Sequence, residues 1–343
     1  MRWIELVAAL MLAGRTASVA AGPLEDGSAA YKSGDYATAL RMYRLAADLG
    51  DAAAQVRIGD MYWEGVGVPE DAAEAVKWYL RAAEQGEVTA EFNLAGMYEE
   101  GYGVSRNSAE AVKWYLRAAE HGLVDAQLLV GVMFDEGGRL GLPEDDAEAL
   151  KWYRRAADQG DATAQFNVGY MYKKGEGAPQ DYAEAEKWLR LAADQGLVTA
   201  QFALGVMYAE GQGVSENGRE AEKWFRLAAV RGDTTSQFNL GVMYDNGRGV
   251  PEDHGEAVKW YRRAAEQGSA MAQVNLATMY AIGKGVSQDY VEAHKWFNLA
   301  ASRLTGVDHA RAAKSRDETA SKMTPHQVAE AQRLAREWKQ KRF

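Results

Sequence analysis

Residues 163–196 read TAQFNVGYMYKKGEGAPQDYAEAEKWLRLAADQG, and residues 235–268 read TSQFNLGVMYDNGRGVPEDHGEAVKWYRRAAEQG. The same pattern recurs along most of the chain, and one tryptophan marks each copy: Trp78, Trp114, Trp152, Trp188, Trp224, Trp260 and Trp296. Successive tryptophans are 36 residues apart, except for 38 between Trp114 and Trp152. A fixed period of this length is typical of proteins built from stacked repeats.

Each copy contains two segments in which apolar residues follow the period of a helix. In the first segment, Phe166, Gly169 and Tyr172 share one face. The glycines of residues 175–177 are suited to ending that helix, because glycine adopts positive φ at little cost. The second segment covers 181–195 and is followed by Gly196, a typical residue after a helix end. The pattern therefore predicts two helices in every repeat.

The second helix of each repeat has the same start signal. An Asp or Asn stands three residues before a glutamate, which predicts a capping box in which each side chain accepts a free backbone amide of the other residue. The pairs are Asp71–Glu74, Asn107–Glu110, Asp145–Glu148, Asp181–Glu184, Asn217–Glu220, Asp253–Glu256 and Asp289–Glu292.

Small residues recur at one position of the first helix. Glycine inside a helix costs about 1 kcal/mol relative to alanine, so its recurrence predicts close approach of a neighbouring helix. We expect the tryptophans of the second helix and the tyrosines of the first to be the large core complements of these gaps. The small residues are Gly59, Ala95, Gly131, Gly169, Gly205, Gly241 and Ala277.

Composition and motif content exclude several classes of function. The net charge is -10, and an acidic chain repels phosphate backbones, so we predict no nucleic-acid partner. The absence of cysteine excludes disulfides, thiolate metal sites and a cysteine nucleophile. The five histidines follow no metal-ligand spacing, and no G-x-S-x-G nucleophile motif occurs. We predict that the protein is not an enzyme and has no cofactor and no metal.

The first 21 residues, MRWIELVAALMLAGRTASVAA, have the features of a signal peptide. Arg2 provides a positive start, residues 6–13 form a short apolar run, and small residues lie at 18–21. Glu5 and Arg15 weaken the pattern, which leaves an uncleaved leader or a misassigned start as alternatives. No later stretch is apolar enough to cross a membrane. We expect a cleaved leader and a soluble periplasmic or secreted protein; an uncleaved leader would leave a cytoplasmic adaptor.

The repeat closely resembles the Sel1-like family, which is related to tetratricopeptide repeats. The family pattern A-x-x-x-L-G-x-x-Y-x-x-G-x-G-V, followed by D-x-x-x-A-x-x-W-Y-x-x-A-A-x-x-G, is nearly literal in this chain. The resemblance implies an all-α, right-handed α-solenoid of 36-residue helix-turn-helix repeats that acts as an adaptor, for example in envelope signalling or assembly. We place a partial repeat at 22–52, seven repeats at 53–306 and capping helices at 307–343.

Two segments depart from the repeat. The third copy has two extra residues in the turn at 137–141, which predicts a neutral insertion or a local contact. After the last repeat, Thr324, Pro325 and Gln327 form a helix start signal with a capping box. One face of that helix, which we expect to cover the end of the last repeat, carries Val328, Ala331, Ala335 and Trp338.

By resemblance, the partner would bind the concave face lined by the first helices. A stripe of residues that vary between repeats lies on that face. In related tetratricopeptide grooves, asparagine holds a peptide backbone; here it could equally pack between repeats, and the sequence leaves both open. We predict a protein or peptide partner, an extended segment or a helix, and leave the oligomeric state open. The candidate binding residues are Asp60, Asn93, Asn167, Tyr170, Asn239 and Asn275.

An enzymatic alternative also comes from the resemblance. A cysteine-rich branch of the family has been linked with β-lactam binding or hydrolysis, which would make this protein a β-lactam- or peptidoglycan-interacting hydrolase. That branch carries disulfides within each repeat, and this chain has no cysteine. The adaptor is therefore the favoured hypothesis.

Overall fold

The computed structural model describes residues 22–340, so the leader predicted at 1–21 lies outside the described residues. Within 22–340 the regular elements are eighteen α-helices and one short 3-10 turn, without strands. Consecutive helices pack against each other in pairs. This confirms the all-α repeat architecture. The chain divides into two compact units between Gln159 and Gly160.

In the N-terminal unit the helices form four pairs. We call the first helix of a pair helix A and the second helix B. The helices are α1 (Pro23–Lys32), α2 (Tyr36–Asp48), α3 (Ala52–Glu64), α4 (Ala72–Glu84), α5 (Val88–Glu100), α6 (Ser108–Glu120), α7 (Val124–Glu136) and α8 (Asp146–Asp158). The first helix A, α1, has 10 residues, against 13 in α3.

In the C-terminal unit four more pairs are followed by two further helices. They are α9 (Ala162–Lys174), α10 (Tyr182–Asp194), α11 (Val198–Glu210), α12 (Gly218–Val230), α13 (Thr234–Asn246), α14 (His254–Glu266), α15 (Ala270–Ile282), α16 (Tyr290–Ala301), α17 (Gly306–Ala320) and α18 (Pro325–Gln340).

The start of each helix B makes half of the predicted capping box. At α6, the Asn107 side chain accepts the backbone amides of Ala109 and Glu110 at 3.1 and 3.2 Å. The reciprocal bond, in which the glutamate carboxylate would accept the backbone amide of the Asp or Asn, is not made. That part of the prediction is wrong. The backbone amide of Asn107 instead donates to the backbone carbonyl of Tyr98, in helix A, at 2.9 Å. The Glu110 carboxylate therefore remains available, and it accepts the Trp114 indole N–H at 3.1 Å.

The space beside the recurrent glycine of helix A is occupied by the residue that follows the tryptophan of helix B. A Cβ added to Gly205 would lie 2.5 Å from Cδ1 of Phe225, which is buried. Trp224 is buried as well, in a cluster with Leu189 of α10 and Leu204 of α11. The tryptophan is therefore a core residue, as predicted, but it joins successive repeats, while Phe225 fills the glycine gap.

The extra residues of the third repeat form the 3-10 turn Arg139–Gly141. Arg139 Nη2 lies 3.0 Å from Glu99 Oε1 on α5. Leu140 and Leu142 pack against the core of the N-terminal unit. The insertion therefore makes a contact within the molecule, between one repeat and the preceding one.

The two C-terminal helices, α17 and α18, both pack on α16, as predicted. At the start of α18 the capping box is complete: the Thr324 amide donates to Gln327 Oε1 at 2.9 Å, and the Gln327 amide donates to Thr324 Oγ1 at 3.3 Å. Trp338 meets Trp296 edge to face with ring centroids 6.1 Å apart. These contacts cover the helix B that ends the last repeat.

We expect the C-terminal helices to loosen in acid because of His294. This residue of α16 is 3% exposed and lies near Arg316 and Asp317 of α17. Burial, followed by Arg316, lowers the pKa of His294 below its ordinary value of 6.5, and Asp317 opposes that shift. The unfolded chain therefore binds a proton first as pH falls below 6.5, and stability is lost between 6.5 and the folded pKa.

Hydrogen exchange of the α16–α18 amides at pH 7.5 and 5.5 measures this effect. The opening free energy should fall by up to about 1.4 kcal/mol per pH unit within that window. The His294→Val variant is the control, because Val258 occupies the same position in α14. An identical pH dependence in the wild type and His294→Val would contradict the prediction.

Candidate functional site

Two of the predicted binding residues line one cavity in the N-terminal unit. Asp60 of α3 and Asn93 of α5 lie on its wall, and its volume is about 380 Å³. We call it the Trp63 cavity. Its lining residues are Asp60, Trp63, Glu64, Tyr79, Phe92, Asn93, Gly96, Met97, Glu100, Tyr102 and Tyr115. The side chains come from two adjacent A helices, their B helices and the turn after α5.

Asn239 of α13 lines a second cavity, in the C-terminal unit, with a volume of about 130 Å³. Asn167 and Asn275 are half-buried on their A helices, and Tyr170 is exposed. The Lys174 ammonium lies 5.5 Å from the Tyr170 ring centroid. The structure thus brings Asp60 and Asn93 together, while the other candidates occupy separate places in the second unit.

Two of the asparagines lie near a tyrosine of the preceding repeat. Asn93 of α5 lies near the Tyr79 hydroxyl of α4, in the preceding repeat, and opposes the rise that burial causes in the pKa of Tyr79. Asn275 of α15 has the same relation to Tyr261 of α14. Both asparagines are therefore placed next to the preceding repeat, and binding by the asparagines stays a prediction. Both asparagines are half-buried.

Asp60 is the most deeply placed acid of the Trp63 cavity. Its Oδ1 accepts the Tyr79 hydroxyl at 2.9 Å, and its Oδ2 lies 3.5 Å from Arg57 Nη1. Burial raises the pKa of Asp60, although Tyr79 and Arg57 oppose the shift. Since the charged form is incompletely compensated, a positive charge placed in the cavity would be favourable.

The rim of the cavity is aromatic. Trp63 is 39% exposed and Tyr102 is 48% exposed, and their ring centroids are 5.3 Å apart. Sequence reasoning did not single out these residues, although a signal was present. Trp63 is a tryptophan outside the regular 36-residue series, and Tyr102 replaces the small or polar residues found between the turn glycines of other repeats, such as Val66, Gln212 and Lys284.

A missing side chain opens the cavity. Gly96 lies on α5 at the position where other A helices carry Asp60, Val132, Tyr170, Val206, Val242 and Thr278. A Cβ added to Gly96 would meet only the Tyr115 hydroxyl, at 3.5 Å. This helix-interior glycine therefore serves no close helix contact, and what it provides is space.

Two further features, a metal centre and a membrane-spanning helix, concern residues 22–340. Between residues 22 and 340, no group of three or more histidines, aspartates or glutamates is placed to hold a metal ion. No helix in this part of the chain has the length and apolar character needed to cross a bilayer.

Comparison with known proteins supports the repeat assignment. The Sel1 repeat model matches eight consecutive segments: 20–51, 52–87, 88–123, 124–161, 162–197, 198–233, 234–269 and 270–303. No curated protein sequence matches the chain.

Two solved structures are similar to the chain over most of their length. A Sel1 repeat protein from Oxalobacter formigenes is 34% identical, with 84% of this chain and 86% of that one aligned and a TM-score of 0.64. A protective antigen of uropathogenic Escherichia coli is 30% identical, with 88% and 79% aligned and a TM-score of 0.58. Sel1 repeats are typically non-catalytic scaffolds for protein interaction. With repeats matched from residue 20 to 303, the chain belongs to the Sel1 repeat family.

Proposed function

We propose that this protein is an exported, non-enzymatic scaffold that binds a protein partner through its A helices. The observation that carries the proposal is the Trp63 cavity, where Trp63 of α3 and Tyr102 of the turn after α5 present exposed aromatic rings beside half-buried polar groups. Such a mixture of apolar surface and convergent polar groups is typical of binding sites. The leader sequence at 1–21 supports export.

The contrast between the two helices of a repeat also supports the proposal. Helix B keeps an alanine pair and, in most repeats, a buried tryptophan, which build the frame. The cavity positions of helix A change from one repeat to the next, for example from Asp60 to Gly96 to Val132. Varied side chains on a constant frame allow a repeat protein to recognise one partner over several repeats. The described residues offer no observation that favours the alternative hydrolase.

We expect the variant with both Asn167→Glu and Asn239→Glu to lose its partner in an in-cell crosslinking pull-down. The two introduced carboxylates should reduce recovery of the partner about tenfold or more, because an unmatched charge is costly where an interface excludes water. The matched control is Leu227→Glu, which adds a charge at an exposed position of a helix B, α12. Circular dichroism of each variant checks that the helices remain folded.

Equal recovery of the partner by the double variant and by Leu227→Glu would contradict a partner surface that extends over the A helices of several repeats. Export is tested separately by the intact mass of the protein purified from its native cells. Cleavage should remove about the first 20 residues. A mass that retains the whole leader would contradict the exported form and favour an adaptor inside the cell.

A further inference from the structure

We propose that the Trp63 cavity binds an arginine side chain of the partner protein. The inference rests on the proposed scaffold function, which it deepens by naming the chemistry that one pocket recognises. It is carried by the charge, the aromatic surface and the space of this cavity, and by a comparison with the equivalent cavity in the C-terminal unit.

The charge of the cavity is one-sided. Asp60, Glu64 and Glu100 lie on its wall, and no lysine, arginine or histidine does. The N3 glutamates of the B helices have lysine partners within the same helix, such as Lys113 for Glu110 at 3.0 Å. Glu64 and Glu100 form no ion pair with any residue in 22–340. A cationic occupant would provide the missing partner for these carboxylates.

The aromatic rim indicates a planar cation. Elsewhere in this chain the tryptophans of helix B carry guanidinium groups over their rings, at 4.5 Å for Arg155 over Trp152 and 4.6 Å for Arg263 over Trp260. No cation of the described residues lies over Trp63. Arginine stacks on an aromatic face and donates to carboxylates in the same plane, whereas lysine offers a point charge.

The second cavity has an arginine at its rim. It is lined by α11 and α13 of the C-terminal unit, with Val206 where Asp60 stands and Val242 where Gly96 stands. The position of Tyr102 is taken there by Arg248, which lines the cavity and donates to the Ala209 carbonyl at 3.0 Å. An arginine side chain, 60% exposed, thus lies at the edge of this kind of groove within the protein itself. The Trp63 cavity has no internal arginine, and Gly96 leaves it larger, at about 380 Å³ against about 130 Å³.

The test is a titration of the full-length protein with four synthetic peptides that differ at one central residue. The peptides are Ser-, Gly- and Ala-based elevenmers with arginine, lysine, citrulline or glutamate at the centre. Citrulline keeps the shape of arginine without its charge. Binding is followed by the NMR signal of the Trp63 indole N–H, which is assigned with the Trp63→Phe variant. We expect the arginine peptide to bind about tenfold more tightly than the citrulline peptide, and lysine to fall between them.

Two variants probe the cavity directly. Asp60→Asn with Glu64→Gln should reduce arginine binding close to the citrulline level, because it removes two of the three carboxylate charges and keeps an oxygen that accepts the Tyr79 hydroxyl. Gly96→Val should abolish binding by filling the space, as Val242 does in the second cavity. Val242→Ala is the matched control and should bind as the wild type does. Thermal unfolding followed by circular dichroism confirms that each variant is folded.

Equal affinity for arginine and citrulline, or unchanged arginine binding by the folded Asp60→Asn/Glu64→Gln variant, would overturn the inference. The scaffold function would still stand if a crosslinked partner is lost on Asn167→Glu/Asn239→Glu. Conversely, arginine-selective binding at Trp63 would support the inference even if the A-helix charges leave the crosslinked partner in place, a result that counts against the proposed function alone.

Discussion

Replacing Glu91 by alanine is expected to destabilise the repeat formed by α5 and α6 by about 2–4 kcal/mol. The Glu91 side chain is fully buried, and its carboxylate oxygens lie 3.0 Å from Arg117 Nε and 2.9 Å from His121 Nδ1. Without the carboxylate, Arg117 loses its counterion, the His121 ring loses its partner and a cavity remains beside them. Native-state hydrogen exchange of the α5 and α6 amides measures the loss, since a repeat array opens locally.

The other repeats provide the matched control. At the same position they carry glutamine, and Gln127 donates to the Ala119 carbonyl at 3.0 Å and accepts the Gln159 amide at 2.8 Å. Gln127→Ala should cost less than Glu91→Ala, because no charge is left behind. Combining Glu91→Gln with His121→Gln recreates the neutral pair and should recover most of the stability. An equal cost for Gln127→Ala and Glu91→Ala would show that the ion pair is not decisive.

Replacing Gly205 by valine is expected to cost about 2–3 kcal/mol in the repeat formed by α11 and α12. The new Cβ would lie 2.5 and 2.6 Å from Cδ1 and Cε1 of Phe225. Phe225 is 2% exposed, so the ring cannot move into solvent and the two helices must separate. The midpoint of thermal unfolding and the exchange of the α11 and α12 amides both report the change.

Gly96→Ala is the counterpart of this variant and should have the opposite sign. Gly96 also lies inside a helix A, but the nearest atom to its new Cβ is the Tyr115 hydroxyl at 3.5 Å, an ordinary contact. Removing a helix-interior glycine without a clash should stabilise α5 by about 0.5–1 kcal/mol. If Gly96→Ala destabilised the protein as Gly205→Val does, the space at Gly96 would not be free.

The features that the sequence predicted correctly depend on residues close together in the chain. The helix pairs follow from apolar spacing within about four residues, and the Asx caps at Asn107 and its equivalents span three. The box at Thr324 and Gln327 is local in the same way. Its counterpart at Asn107 failed because the Tyr98 carbonyl, nine residues upstream, takes the amide that Glu110 was expected to accept.

The sequence by itself determined the repeat, its period, its helix boundaries and its cap at the C-terminal end, because those depend on local backbone energetics repeated in every copy. Only the tertiary structure decided that Phe225, and not its neighbour Trp224, fills the gap at Gly205. It also brought Asp60, Gly96 and Tyr102 together around one cavity. Helical periodicity determines which residues share a face of one helix. The packing of one helix against the next determines which side chains of other helices contact that face, and a binding cavity forms only between packed helices.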